Sequence, residues 1–396
     1  MRLVLLNLRY SPNLGDVLLC ECLEFGLRQA RAGLHVLQLD ITGRRDFARG
    51  KSRRLAALAV LQRLPQPVRH RVARVVLGRS LRRTLPYWQT ELAQADAAVL
   101  GGGNLLADAD LNFPLKVAAV LGAVTAAGLP AAVHAVGVSD NWSRDGETLF
   151  RDALAGVQLV HAAVRDEQSR DIWVRRLGPA GIAPPQLVRD PGLLAAECYP
   201  SRARPASSET RVGICLTHPV ALRYHADERM PSASALTAWF VALVRALTQK
   251  GFAIFLFTTG SPEDEAYLDR VMPTILSAAD PLGKAERLPN LAKAADLADF
   301  VSTLDLLIGH RLHACVAAYA YGVPHVGFTW DKKIQSFFDS VDRSRYVCPA
   351  VSTSVADVVS LGEEAMRRGI SGEERGSIIA QTHADIASLL RNLEPA

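Results

Sequence analysis

Short apolar runs alternate with stretches of helical periodicity along most of the chain. RLVLLN (2–7), HVLQLD (35–40), AAVLGG (97–102), AAVHAVGV (131–138), LVHAAVR (159–165) and QLVRD (186–190) read as strands. Amphipathic stretches such as VLLCECLEFGLRQA (17–30) lie between several of them. Strands separated by helices predict parallel βαβ units. YPSRARPASSET (199–210), rich in Pro, Ser and Arg, has the composition of a linker. A second alternating set follows: RVGICLT (211–217), FAIFLFTT (252–259), LDLLIG (304–309) and HVGFTW (325–330). Helices are expected over 233–249 and 311–321, and from about 353 to the end. The pattern predicts an α/β protein of two Rossmann-like lobes with a central cleft. Its parts are an N-terminal lobe (1–198), a linker (199–210), a C-terminal lobe (211–350) and a helical tail (351–396). Ligands of such sheets bind beyond the carboxyl ends of the strands.

One region breaks the alternation. Residues 44–83 carry twelve arginines and one lysine against the single acid Asp46. Leu61, Leu64, Val68, Val72 and Val75 recur there at helical spacing. A basic amphipathic helix suits an anionic membrane surface, and a solvated helix face fits the same pattern.

Composition narrows the class. Of 396 residues, 49% are hydrophobic and 21% charged, which fits a globular chain with a large core. The net charge of +5 suits anionic small ligands or anionic surfaces and is too small to argue for nucleic acid. Cys20, Cys22, Cys198, Cys215, Cys315 and Cys348 form no CxxC pair and are expected as reduced thiols. MRLVLLNLRY is too short an apolar run for a signal peptide, and no run approaches the roughly 18 apolar residues of a membrane span. A cytoplasmic protein is expected, peripheral at the inner membrane face if residues 44–83 bind lipid.

The chemistry-bearing residues sit where strands are expected to end. In GHRLHA (309–314) an apolar strand turns into an apolar helix, and His310, Arg311 and His313 crowd that junction. Helix N-terminal N–H groups and the helix dipole attract anions there. Arg311 adds a forked donor for phosphate or carboxylate, and His313 a group able to exchange protons near neutrality. SPNLGDVLL (11–19) follows the first strand: Asn13 and Gly15 suit a turn, and Asp16 is either a helix cap or a carboxylate for acid/base work. LGGGNLLAD (100–108) brings Gly101, Gly102, Gly103 and Asn104 to another strand end, as a phosphate- or sugar-cradling loop or as a tight turn. Arg165 in VRDEQSRDIW (164–173) is a second candidate anion ligand, or else the partner of a nearby acid. Lys333 in WDKKIQSFF (330–338) is a further candidate cation. No P-loop, HExxH, GxSxG, GxGxxG or clustered Cys/His pattern occurs, so no metal or bound cofactor is expected.

Together these segments resemble the polysaccharide pyruvyl transferase family. The matching residues are NLGD (13–16), LGGGN (100–104), RDEQS (165–169), RDPG (189–192), GHRLHA (309–314), GVP (322–324) and WDKK (330–333). His310 falls at a variable position, Trp330 stands where the family often has Tyr, and Lys332 where it often has Pro. The resemblance implies a GT-B-like fold, phosphoenolpyruvate as donor co-substrate, and a sugar acceptor on a cell-surface polysaccharide or its lipid-linked precursor. The product would be a cyclic pyruvate ketal, with phosphate released. It places Arg165, Arg311 and His313 at the donor, with Lys333 and His310 as further donor contacts. His313 is then the expected acid/base group and Asp16 the second candidate. A GT-B glycosyltransferase using a nucleotide sugar is the alternative from the same fold.

Overall fold

The computed structural model describes residues 1–47, 64–201, 209–219, 232–279, 283–329 and 332–394. The chain forms two compact units. The first gathers residues 1–11, 19–191 and 381–396, and the second gathers 12–18 and 192–380.

The first unit holds β1 (Arg2–Asn7), β2 (His35–Asp40), β3 (Ala97–Gly101), β4 (Pro130–Val136), β5 (Gln158–Val164) and β6 (Gln186–Leu187). They pair in parallel in the order β2-β1-β3-β4-β5-β6. The order reverses between β1 and β3, so the carboxyl ends at Asn7 and Gly101 form a topological switch point, where doubly wound sheets open a binding crevice. Val4, Leu6, Leu100 and Val133 of the sheet pack with Val117, Val120, Phe150 and Trp173 from the covering helices. Two of those helices start on side-chain caps: Ser143 Oγ accepts the Gly146 N–H (3.1 Å), and Asp166 Oδ1 the Ser169 N–H (2.7 Å). Near its end β4 slips register against β5, with buried Ala135 at φ 53°, and this bulge re-aims the chain at residues 137–139.

The second unit holds β7 (Arg211–Cys215), β8 (Ala253–Phe257), β9 (Ala285–Arg287), β10 (Leu306–Gly309), β11 (His325–Thr329) and β12 (Val347–Pro349), again parallel, in the order β12-β11-β10-β7-β8-β9. Here the reversal falls between β7 and β10. A Cβ on Gly309 would lie 2.7 Å from Cys215 Cβ, so glycine is what lets the two carboxyl ends close up. Ile214, Leu256, Ile308 and Phe328 of the sheet are fully buried, as are Phe240, Leu243 and Val316 of the covering helices.

Several expectations change. β9 and β12 were not expected; three-residue edge strands carry no readable period. The tail is not a separate element. Helix Val355–Arg368 buries Val358, Val359 and Ala365, and its Gly362 faces Leu306 of β10 so closely that a Cβ would sit 2.8 Å away. In helix Gly372–Leu393, residues from 381 onward belong to the first unit: Asp385 accepts the Arg189 N–H (2.7 Å) and Asn392 pairs with His161 (2.9 Å). Residues 192–198, expected in the first lobe, group with the second, where the Tyr321 hydroxyl donates to the Ala195 carbonyl (3.2 Å). Most of the expected linker, 202–208, lies outside the described residues.

In the arginine-rich region, residues 48–63 lie outside the described residues, Leu61 among them. The helix there runs Gln66–Leu92 and buries His70, Leu81, Trp88 and Leu92. The expected apolar stripe therefore does not face the core: Val68 is 41% exposed and Val75 50%. The six cysteines are free, and all but Cys198 are buried. Among the described residues, no helix is long and apolar enough to cross a membrane.

His134, His161, His310 and His325 are buried and held neutral. Burial pushes His134 down to about 3, with His161 adding to the effect, and pushes His161 down to about 4. His310 and His325 are each held down at about 3, again mainly by burial. In the unfolded chain these groups titrate near 6.5, so below that pH the unfolded state binds protons that the folded state refuses. The stabilisation from keeping them neutral is complete above about pH 6.5 and is lost on acidification, by on the order of 1 kcal/mol per histidine per pH unit. Urea midpoints are expected to fall steeply between pH 7 and 5.5, and less steeply in His134→Gln; a flat profile would contradict this accounting.

Candidate active site

In the second unit, the NLGD segment is seated against the loop that follows β8. The Leu14 N–H donates to the Thr259 carbonyl (2.7 Å). Gly260, at φ 89°, passes so close to Pro12 that a Cβ would lie 2.9 Å from its carbonyl oxygen. Asn13 Oδ1 accepts the Gly15 N–H (3.1 Å), a short turn that starts helix Leu14–Ala30 with Asp16 in its first turn. A Cβ on Gly15 would lie 2.8 Å from His313 Cβ and 3.0 Å from its Nδ1, so glycine is what admits the imidazole. His313 Nδ1 stands 3.9 Å from Asp16 Oδ1, with the two side chains 11% and 20% exposed. They form an ion pair whenever the imidazole is protonated.

Arg311 occupies the N-cap position of helix Leu312–Ala320, directly after β10. Its Nε donates to Asp264 Oδ2 (2.9 Å) and its Nη2 donates to the same oxygen. The Asp264 carboxylate is fully buried, and its other oxygen accepts the His218 N–H (2.8 Å). Burial by itself would lower the pKa of Arg311, but the charge and hydrogen bonds of Asp264 outweigh it and hold the group above its ordinary value. Arg311 is a fixed cation at the switch point. Burial pushes the Cys215 thiol below it far up, so that thiol is no nucleophile.

His310 does not join this group. It is fully buried, with its ring 4.9 Å from Phe328 and 6.1 Å from Phe240, and it stays uncharged at neutral pH. Adjacent residues alternate sides at a strand end, so Arg311 points out while His310 points into the core. Lys333 is half-buried in the first turn of helix Lys332–Ser340.

The first unit has its own polar network. Arg165 follows β5 and its Nη1 donates to Asp190 Oδ2 (2.9 Å); both side chains are buried. Thus RDEQS and RDPG meet, through a residue pair 25 positions apart. Of the two readings of Arg165, the partner of a nearby acid is present, as a buried ion pair with Asp190. Gly137 lies between: a Cβ there would be 3.0 Å from Asn104 Oδ1 and 3.2 Å from Arg165 Nη2. Asn104 Nδ2 donates to Ser139 Oγ (3.1 Å), and Ser169 Oγ accepts the Val138 N–H (2.9 Å). The glycine segment is a close-packed turn more than an open cradle. Gly102 and Gly103 take φ of 74° and 79°, and a Cβ on Gly101 would strike Leu23 (2.6 Å). The Gly102 N–H already donates to the His134 carbonyl (3.1 Å).

Asn13, Gly15, Asp16, Arg311 and His313 are thus brought together in the second unit, and Gly101–Asn104 and Arg165 in the first. Asp264, Asp190, Gly137 and Ser139 were missed. For Asp264 a signal existed: TTGSPEDE (258–265) is a strand end followed by a Ser-Pro helix start loaded with acids.

The fold is shared with sugar-nucleotide enzymes. A UDP-GlcNAc 2-epimerase from Methanocaldococcus jannaschii superposes with TM-score 0.63 at 9% identity, covering 99% of each chain. UDP-GlcNAc 2-epimerase from Neisseria meningitidis gives 0.54 at 10% identity, covering 99% of this chain and 100% of its own. MnaA from S. aureus gives 0.53 at 10%, covering 98% and 94%. These likenesses define the class: two Rossmann-like units of the kind found in GT-B enzymes and epimerases. Comparison with curated proteins gives no match. The polysaccharide pyruvyl transferase model matches residues 13–332, and the chain belongs to that family, whose members are transferases.

Removing one half of a buried ion pair leaves the other uncompensated, a loss of about 3–5 kcal/mol. Asp264→Ala is expected to destabilise the second unit by about that amount in urea unfolding, with Asp264→Asn milder. A loss below about 1 kcal/mol would mean that Arg311 does not depend on this carboxylate.

Proposed function

We propose that the protein transfers pyruvate from phosphoenolpyruvate to a sugar of a cell-surface polysaccharide, or of its lipid-linked precursor, closing a cyclic ketal across two hydroxyls and releasing phosphate. The observation that carries this is the Asp16–His313 pair in the same unit as a clamped Arg311 that follows β10 at the switch point. Phosphoenolpyruvate bears a phosphate and a carboxylate. A guanidinium whose inner edge is fixed by a buried aspartate presents its remaining N–H groups to such an anion with little further loss of rotamer freedom. Lys333 is the second proposed cation, and the N-terminus of helix Leu312–Ala320 adds its dipole.

His313, protonated and held toward Asp16, gives its proton to the methylene carbon, and the phosphate-bearing carbon becomes electron-poor. One sugar hydroxyl bonds to that carbon, and its proton passes to the vacated imidazole or to Asp16. The bond to the phosphate oxygen then breaks as the second hydroxyl oxygen bonds to the same carbon, and that hydroxyl's proton leaves on the phosphate, closing the ring and freeing hydrogen phosphate. A positioned acid/base of this kind contributes about 10²–10⁴-fold. Arg165, paired with Asp190, is assigned the task of holding the turn at Gly137 in place within the first unit.

The test supplies purified protein with phosphoenolpyruvate and a panel of sugar acceptors, and in parallel with nucleotide sugars, reading phosphate release and product mass. Phosphoenolpyruvate-dependent addition of a pyruvate ketal is the expected result. Turnover with nucleotide sugars alone would favour glycosyl transfer. His313→Ala is expected to fold like the parent and to transfer pyruvate at least about a hundredfold more slowly; near-parental turnover would remove it from the chemistry.

A further inference from the structure

The arginine-rich helix carries a second feature, in the first unit. The segment after β2 descends onto helix Gln66–Leu92 at Gly43, which has φ 79° and whose Cβ would collide with the Thr84 hydroxyl. Beside this contact lies an open cavity of about 490 Å³ lined by Gly43, Arg45, Val76, Arg79, Ser80, Arg83 and Thr84. Three guanidiniums and two hydroxyls line it, and no acid does.

Elsewhere on the same helix arginines have carboxylate partners: Arg69 with Asp110 (3.0 Å) and Arg74 with Asp145 (3.0 Å). Among the described residues, none pairs with Arg45, Arg79 or Arg83, and the sequence holds no acid between Asp46 and Glu91. Arg79 and Arg83 stand one turn apart, a spacing at which like charges repel. Arg45 is held across from them by stacking on the Tyr87 ring, 4.0 Å from its centroid. Such a cluster is stabilised when an anion with several acceptor oxygens bridges it, and phosphate matches the arginine fork.

The surroundings point to the source of that phosphate. Val76 lines the cavity at 60% exposure, and Val75 at 50%, Val68 at 41% and Phe47 at 44% are exposed on the same helix and the segment leading to it. Apolar side chains of this size open to solvent beside unneutralised arginines match a surface with anionic phosphates above hydrocarbon. We propose that the Arg45–Arg79–Arg83 cavity takes the phosphate of a lipid headgroup, with Val75 and Val76 entering the lipid boundary.

Co-sedimentation of the full chain with vesicles of phosphatidylcholine alone, or with phosphatidic acid added, tests this without donor or turnover, so its outcome is separate from that of the transfer assay. Binding is expected to need the acidic lipid and to weaken with salt. Arg79→Ala/Arg83→Ala should lower it about thirtyfold, and Val75→Ser/Val76→Ser several-fold. All four positions are solvent-facing, and unchanged melting temperatures exclude unfolding as the cause. Equal vesicle binding by the arginine variant and the parent overturns the proposal. So does arginine-dependent binding to inorganic pyrophosphate or duplex DNA with no binding to acidic vesicles.

Discussion

The second unit depends on one charge pair that cannot be half made. Asp264 is buried completely, and a carboxylate in that position is tolerable only if its oxygens are spoken for. Arg311 and the His218 N–H do so. The pair spans 47 residues and ties the helix after β8 to the turn after β10. Those two elements flank β7, beside the point at which the strand order reverses. What stabilises the unit is therefore the same contact that fixes a cation at the one sheet position where a parallel fold leaves backbone and helix termini open to a ligand.

Glycine does the complementary work. At Gly309 it lets β10 and β7 close up, at Gly260 it lets the post-β8 loop meet Pro12, and at Gly15 it lets the imidazole of His313 lie against the start of helix Leu14–Ala30. Each would-be Cβ meets backbone or a stiff part of a side chain at under 3 Å, so none of these approaches survives an added methyl without movement. The result is that NLGD and GHRLHA, almost three hundred residues apart, become one polar cluster. The first unit repeats the logic with Gly137, which admits Asn104 and Arg165 to the same turn.

Much of this was legible in the chain. Ten of the strands announce themselves because both faces of a parallel sheet are covered, giving near-continuous apolar runs. The motif residues fall at strand ends for the same reason: polar residues interrupt those runs only where a strand leaves the core. The illegible parts share a cause. The local signal at TTGSPEDE marks acids at a helix start, but which of them is buried, and that Asp264 and Asp190 pair with arginines 47 and 25 residues away, is set by the fold and not by any local period. His310 looked like a site residue by adjacency to Arg311, yet one step along a strand end reverses the side chain's direction and makes it core. The valines near 68–75 have helical spacing, yet Val68 and Val75 are exposed while His70, Leu81, Trp88 and Leu92 of the same helix are buried, and spacing alone does not tell which stripe meets the core.

Fold likeness and family membership bear on different links of the chain from sequence to function. Epimerases at 9–10% identity share the layered sheets, which follow from alternating apolar segments that many sequences satisfy. They carry no implication for chemistry, because a doubly wound unit is compatible with any residues at its strand ends. The family match is different in kind, since residues 13–332 include NLGD, GGGN, RDEQS, RDPG and GHRLHA, the very segments that converge in the two polar clusters. Sequence separation makes their convergence a property of the fold, and their polarity makes it a cost unless the groups are paired. Arg311 and Arg165 are each paired with a buried aspartate, whereas Asp16 and His313 are left partly open to solvent, close but not in hydrogen-bonding contact.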